Sequence, residues 1–154
     1  MKIILLSPGE SSEGFVFLEK YGHVTRHKDK LSLIKDLPTY DWVISFGYRH
    51  IIRKEEIDKC KNPIINLHLS YLPYNRGADP NFWSWYENTP KGVTIHFIDE
   101  GIDTGEILVQ KIVKFQNSET LKTSYDTLKN EVIKLFSESF DGIISKQIIP
   151  KKQN

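Results

Sequence analysis

The segment Asn66-Leu67-His68-Leu69-Ser70-Tyr71-Leu72-Pro73 leaves an apolar run and turns polar at alternate positions. In an extended chain that alternation puts Asn66 and His68 on one face. An amide and an imidazole projecting together from the carboxyl end of a strand can donate two hydrogen bonds to a developing oxyanion, and the imidazole can also exchange protons. The same pair equally suits a structural role, with a turn histidine and an asparagine that closes the strand exit. The acidic loop Asp99-Glu100-Gly101-Ile102-Asp103-Thr104-Gly105 supplies a third group. A carboxylate beside His68 would orient its ring and favour the imidazolium, raising its pKa toward the working pH. An Asx turn or a weak cation site would use the loop differently. Its ligand spacing does not match an EF-hand and its glycines suit a backbone turning tightly near a ligand, so no metal is expected.

Such side chains need a rigid frame. Residues 3–6, 42–46 and 64–67 are short apolar runs bounded by turn residues, each the length of a fully buried strand. Between them, Ser11 or Ser12 can cap a helix whose Phe15, Leu18 and Tyr21 keep helical spacing until Gly22. Residues 23–27 read as a further strand, Leu31, Ile34 and Leu37 as a short helix before Pro38, and residues 53–59 as another. This rhythm predicts an α/β fold: a Rossmann-like, mostly parallel sheet flanked by helices, with ligands at the carboxyl ends of the strands. Val93, Ile95 and Phe97 then alternate with polar neighbours, as do Ile107, Val109, Lys111 and Val113, which predicts an antiparallel or mixed extension of the sheet. A long helix is expected over residues 120–140, with Tyr125, Leu128, Val132, Leu135, Phe136 and Phe140 as its apolar stripe and Gly142 as its C-cap. Phe82, Trp83, Trp85 and Tyr86 stand at near-helical spacing and are read as core, with a stacking platform as the alternative.

A chain of 154 residues suits one compact domain, placed at residues 1–150 with a solvated tail at 151–154. Lys+Arg number 21 and Asp+Glu 20, so no charge excess marks a dedicated binder of nucleic acid or of an anionic membrane. One cysteine, Cys60, can close no intramolecular disulfide and is read as inert, and the expected compartment is the reducing cytoplasm. Ser7-Pro8-Gly9-Glu10 stops the opening apolar run before it reaches signal-peptide length, and no stretch approaches the roughly 20 apolar residues that span a bilayer. No G-x-G-x-x-G follows the first strand, which ranks a nucleotide-binding redox domain last.

The run Asn66-Leu67-His68-Leu69-Ser70-Tyr71-Leu72-Pro73-Tyr74-Asn75-Arg76-Gly77, followed by the run from Gly92 through Thr94, His96, Asp99 and Asp103 to Ile107, resembles the paired signature of the folate-dependent formyltransferase family. The resemblance implies that Asn66, His68 and Asp103 are a catalytic trio, with the amide and the histidine stabilising the oxyanion and Asp103 holding the imidazolium. It also implies 10-formyltetrahydrofolate as co-substrate, in a pocket lined by His50, Ile51, Ile52, Ile98, Asp99 and Glu100. Simple core packing is the competing reading of Ile51 and Ile52. Arg76 and Gly77 would fix the loop beneath the site. His96 would either support the site from behind or sit as a satisfied core histidine.

For the acceptor, Ser7-Pro8-Gly9-Glu10-Ser11-Ser12-Glu13-Gly14 lacks the phosphate cradle of the glycinamide ribonucleotide members, and Glu10 and Glu13 would oppose a phosphate there. Methionyl-tRNA members carry a further nucleic-acid-binding domain, and the nearly neutral chain disfavours tRNA. The stretch Arg76-Gly77-Ala78-Asp79-Pro80-Asn81-Phe82-Trp83 is most similar to the amino-sugar N-formyltransferases. The expected partner is therefore a small-molecule amine, a nucleotide-linked amino sugar, with no nucleic acid and no membrane. Transfer to glycinamide ribonucleotide, hydrolysis of formyl-folate and non-catalytic folate binding are the alternatives. The oligomeric state is left open.

Overall fold

The structure, a computed structural model, describes the backbone of residues 1–154 and every side chain other than those of residues 10–12. Strands β1 (Lys2–Leu6), β2 (His23–His27), β3 (Trp42–Phe46) and β4 (Ile65–His68) run parallel. Strands β5 (Gly92–Phe97) and β6 (Ile107–Ile112) continue the sheet antiparallel, in the order β2-β1-β3-β4-β5-β6. The fold is α/β with a mixed sheet, as the sequence predicts. β1 lies between β2 and β3, so the winding reverses there and the carboxyl ends of β1 and β3 open side by side, where sheets of this kind take ligands.

Each buried strand feeds two cores, because successive side chains leave a strand on opposite faces. Ile3 and Leu5 join Ile44, Phe46, Ile65, Leu67, Val93 and Ile95 on one face, while Ile4, Leu6 and Val43 pack with Leu31, Leu37 and Ile64 on the other. The first face is closed by α3 (Leu121–Ile144), whose Leu128, Val132, Phe136 and Phe140 are fully buried. These four recur at four-residue spacing and Ile143 follows three residues later, a pattern that lines one side of a helix. Thr120 caps α3: its Oγ1 accepts the Thr123 N–H at 3.1 Å, and Thr123 Oγ1 accepts the Thr120 N–H at 2.9 Å. The second face carries lighter cover, from short 3-10 turns at Leu31–Leu33 and Leu37–Thr39 and from α1 (Lys54–Ile57). Among the described residues no helix is long and apolar enough to cross a membrane.

The structure departs from the sequence expectations at several points. The first helical segment is a 3-10 helix over Gly9–Lys20, and the cap expected from Ser11 or Ser12 falls outside the described side chains. α3 runs through Gly142 to Ile144, so Gly142 is not its cap. A Cβ there would stand 3.0 Å from Ile148 Cδ1, and the glycine serves close packing. Tyr125 lies exposed, off the buried stripe. In α2 (Pro80–Tyr86) the buried positions are the polar Asn81 and Ser84. Asn81 donates to the Leu121 carbonyl at 3.0 Å and accepts from Ser124 Oγ at 3.2 Å. Turning that polar edge to α3 leaves Phe82, Trp83 and Tyr86 in solvent, against the core reading, while Trp85 is half-buried against Phe115.

Phe136 sits where α3 meets the first 3-10 helix, its ring 5.7 Å from Phe17 and 5.2 Å from Phe140. Phe136→Ala is expected to destabilise the protein by about 3–5 kcal/mol through lost transfer energy and the cavity left behind, which urea unfolding checks. A loss under about 1 kcal/mol would show that the site collapses freely.

Candidate active site

The antiparallel register of β4 and β5 sets Asn66 opposite His96 and His68 opposite Thr94. Both histidines are buried, at 6 % and 1 % exposure. The acidic loop leaves β5 and passes tightly against its end. A Cβ at Gly105 would stand 1.8 Å from the Phe97 carbonyl oxygen, so glycine is required there. Asp103, at φ 51°, adopts the left-handed conformation that turns the loop back over the carboxyl end of β4.

Four side chains converge. The Asn66 amide nitrogen lies 3.1 Å from His96 Nε2 and 3.3 Å from Asp103 Oδ1, so its two hydrogens serve these two acceptors. His96 Nδ1 then carries the ring proton and donates it to the Phe97 carbonyl at 2.8 Å. His68 Nε2 donates to the Asn75 carbonyl at 2.9 Å, which leaves Nδ1 facing Asp103 Oδ2 at 3.6 Å. The Gly77 N–H donates to that same Oδ2 at 2.8 Å. The structure thus brings Asn66, His68 and Asp103 together and adds His96, whose contact with the site the sequence left undecided. The signal was present in the alternation of β5, where Thr94 and His96 occupy the face opposite Val93 and Ile95.

Burial is the largest influence on His68 and lowers its pKa below 6.5, against the upward pull of Asp103 and of the Asn75 carbonyl. The expected upward shift is therefore reversed, because the closed site strips more hydration from the imidazolium than the carboxylate returns. Burial also acts most strongly on Asp103, in the opposite sense. The neighbouring His96 ring at 3.5 Å, the charge that His68 carries in acid and the Gly77 N–H together outweigh it and bring the carboxyl down to about 2. At neutral pH the site holds an ionised carboxylate beside a neutral imidazole, an arrangement suited to taking a proton at Nδ1 and passing it on.

Of the residues expected to line the folate pocket, His50, Ile98, Asp99 and Glu100 border two separate open hollows, and Ile51 and Ile52 border neither. One of about 440 Å³ is bordered by Ile98, Asp99 and Glu100 together with α1, and one of about 330 Å³ by Tyr48, Arg49 and His50 together with Pro8 and Gly9. Ile51 is 86 % exposed, whereas Ile52 and Ile98 are half-buried against the second core. Asp99 Oδ1 accepts from Thr104 Oγ1 at 2.6 Å and from the Gly101 N–H at 3.0 Å, and Glu100 pairs with Lys54 at 3.2 Å. Cys60 donates its thiol to the Glu56 carbonyl, and burial pushes its pKa up to about 11, which keeps it unreactive. The chain end is not a purely solvated tail. Lys151 exchanges both backbone hydrogen bonds with Ile107, at 2.7 and 2.8 Å, because β6 is an open sheet edge with free backbone groups.

The sequence profile of the formyl transferase family matches residues 12–139. The chain is 43% identical to the formyltransferase PseJ of Anoxybacillus kamchatkensis, solved in complex with UDP-4,6-dideoxy-4-formamido-L-AltNAc and tetrahydrofolate. That match has a TM-score of 0.90 and covers 100% of this chain and 82% of that one. The fold also matches a sugar N-formyltransferase from Shewanella, at 22% identity, a TM-score of 0.82 and coverage of 98% and 72%. The methionyl-tRNA formyltransferase of Clostridium beijerinckii is 34% identical over 128 residues, 82% of this chain and 41% of the relative. The chain thus spans about two fifths of the length of such relatives.

The two shifted groups make the fold labile to acid in two steps. His68 is depressed on folding, so its contribution is present above its unfolded value of 6.5 and is lost as pH falls toward its folded value. Asp103 is depressed from 3.8 to about 2, so its contribution of about 2 kcal/mol is lost over that lower window. Urea unfolding across this range is expected to show both slopes, the upper one flattened in His68→Gln and the lower one in Asp103→Asn. An unchanged slope in either variant would contradict the assignment for that residue.

Proposed function

The chain belongs to the formyl transferase family, and we propose that it moves a formyl group from 10-formyltetrahydrofolate to a primary amine, using Asn66, His68 and Asp103. The observation that carries this reading is the proton-free His68 Nδ1 directed at the ionised Asp103 carboxylate, beside the Asn66 amide. Bound 10-formyltetrahydrofolate would supply the formyl carbon and a nitrogen leaving group. The surroundings suit a flat, partly apolar ring: Ile51 stands uncovered in the segment after β3, Ile52 and Ile98 are half-buried against one core, and the loop of Asp99 and Glu100 borders an open hollow.

The residues act on one proton and one developing charge. An attacking amine must lose a proton, and His68 Nδ1 accepts it. The imidazolium is then held between the Asn75 carbonyl and Asp103. Nδ1–H returns the proton to the departing folate nitrogen, so one carbon–nitrogen bond forms as another breaks and the proton crosses between the two nitrogens. Asn66 turns one amide hydrogen from Asp103, the longer of its two bonds, toward the formyl oxygen as negative charge builds there. His96 holds the Asn66 amide through the shorter one.

We take the acceptor to be a nucleotide-linked amino sugar, on the support of the 43% identical relative bound to a formamido sugar nucleotide. A second reading, formylation of a charged tRNA, has the support of the methionyl-tRNA relatives.

Incubation with 10-formyltetrahydrofolate and a panel of nucleotide-linked amino sugars, glycinamide ribonucleotide and methionyl-tRNA is expected to formylate an amino sugar, read by mass spectrometry. Formylation of tRNA alone would replace the acceptor assignment, and formate release without an acceptor would replace transfer by hydrolysis. Asn66→Ala and His68→Ala are each expected to slow turnover by about 10²–10³-fold while folate binding persists. Wild-type turnover in His68→Ala would sink the mechanism.

A further inference from the structure

The side chain of Gln153 uses all of its hydrogen-bonding capacity on the two loops that meet at the site. Its amide nitrogen donates to the Asp103 carbonyl at 2.9 Å and to the Gly105 carbonyl at 2.7 Å. Its Oε1 accepts from Arg76 Nε at 3.2 Å and from Arg76 Nη2 at 2.7 Å. The antiparallel bridge of Lys151 to Ile107 sets the register that delivers it, since two residues further along each strand Gln153 falls opposite Gly105. Arg76 adjoins Gly77, whose N–H holds the Asp103 carboxylate. One amide therefore clamps the main chain of Asp103 on one side and the residue beside its carboxylate anchor on the other.

Asp103 needs such a clamp. Its backbone sits at φ 51°, a conformation that costs a non-glycine residue free energy and persists where the surroundings over-determine it. Its neighbours on both sides, Ile102 and Thr104, lie in a surface loop, and Ile102 is exposed. We propose that Gln153 is a positioning residue, which holds the strained Asp103 main chain so that its carboxylate stays in register with His68 Nδ1. The proposal rests on the role assigned above to Asp103.

The test compares the wild-type protein with Gln153→Met, which keeps the length and removes every hydrogen bond, and with Gln153→Glu, which keeps a partner for Arg76 and loses both donations to the loop. Both variants are expected to lower kcat by about 10–100-fold while KM for 10-formyltetrahydrofolate changes less than about twofold, the pattern of a misplaced group that does not bind substrate. Without any substrate, the amides of residues 103–105 are expected to exchange with solvent faster. The His68 ring is expected to titrate lower by nitrogen NMR, because a loosened Asp103 supports the imidazolium less. Unchanged loop exchange together with an unchanged His68 titration would overturn the proposal, as would a Gln153→Glu variant with wild-type kcat. Should the wild-type protein formylate no acceptor, the functional reading falls, and the exchange and titration measurements still decide the role of Gln153.

Discussion

The half-buried carboxylate of Asp103 ties the acidic loop and the loop after β4 to the paired strands β4 and β5. Its Oδ1 receives the Asn66 amide from β4, its Oδ2 receives the Gly77 N–H from the loop after β4, and both histidines lie within 3.6 Å of it. Each partner is a donor or a potential cation, so the charge is compensated, as one removed from water must be. The geometry carries a backbone cost, since the residue adopts a left-handed conformation. Hydrogen bonds to its carboxylate and to its carbonyl offset that cost, and the acidic loop holds its shape through them.

The mixed sheet makes this meeting possible. β5 returns to β4 through a long connection that includes α2, and its antiparallel register lays His96 across from Asn66. The loop after β5 starts beside the amino end of β4, where the Ile98 N–H donates to the Ile64 carbonyl, and reaches back along β4 to set Asp103 against Asn66 and His68. Parallel strands supply the buried frame, closed on one side by α3, and the antiparallel pair supplies the site's second wall.

Within that wall one environment drives two titrating groups apart. Desolvation disfavours charge on both, yet Asp103 collects enough donors to stay ionised while His68, with one carbonyl and one carboxylate, does not stay protonated. Separating an acid from a base in this way is how proton transfer is arranged near neutral pH. Cys60 shows the other outcome: burial without a donor set leaves its thiol protonated and idle.

The amino-acid sequence by itself determined the elements and the chemical alphabet of the site. Apolar runs marked β1, β3 and β4, alternation marked β5 and β6, and helical spacing marked α3, because each pattern repeats over a few residues and reports which side of one element meets the core. Asn66 and His68 were legible for the same reason, and Asp103 through the resemblance carried by its loop. Only the tertiary structure decided the rest. The partnership of Asn66 with His96 joins residues 30 apart and that of Gln153 with Asp103 residues 50 apart, and both depend on strand order and register. The downward direction of the His68 shift depends on how completely neighbouring segments exclude water. The exposure of Phe82, Trp83 and Tyr86 depends on α2 turning its polar edge to α3. None of these is a property of neighbours along the chain, so no local pattern records them.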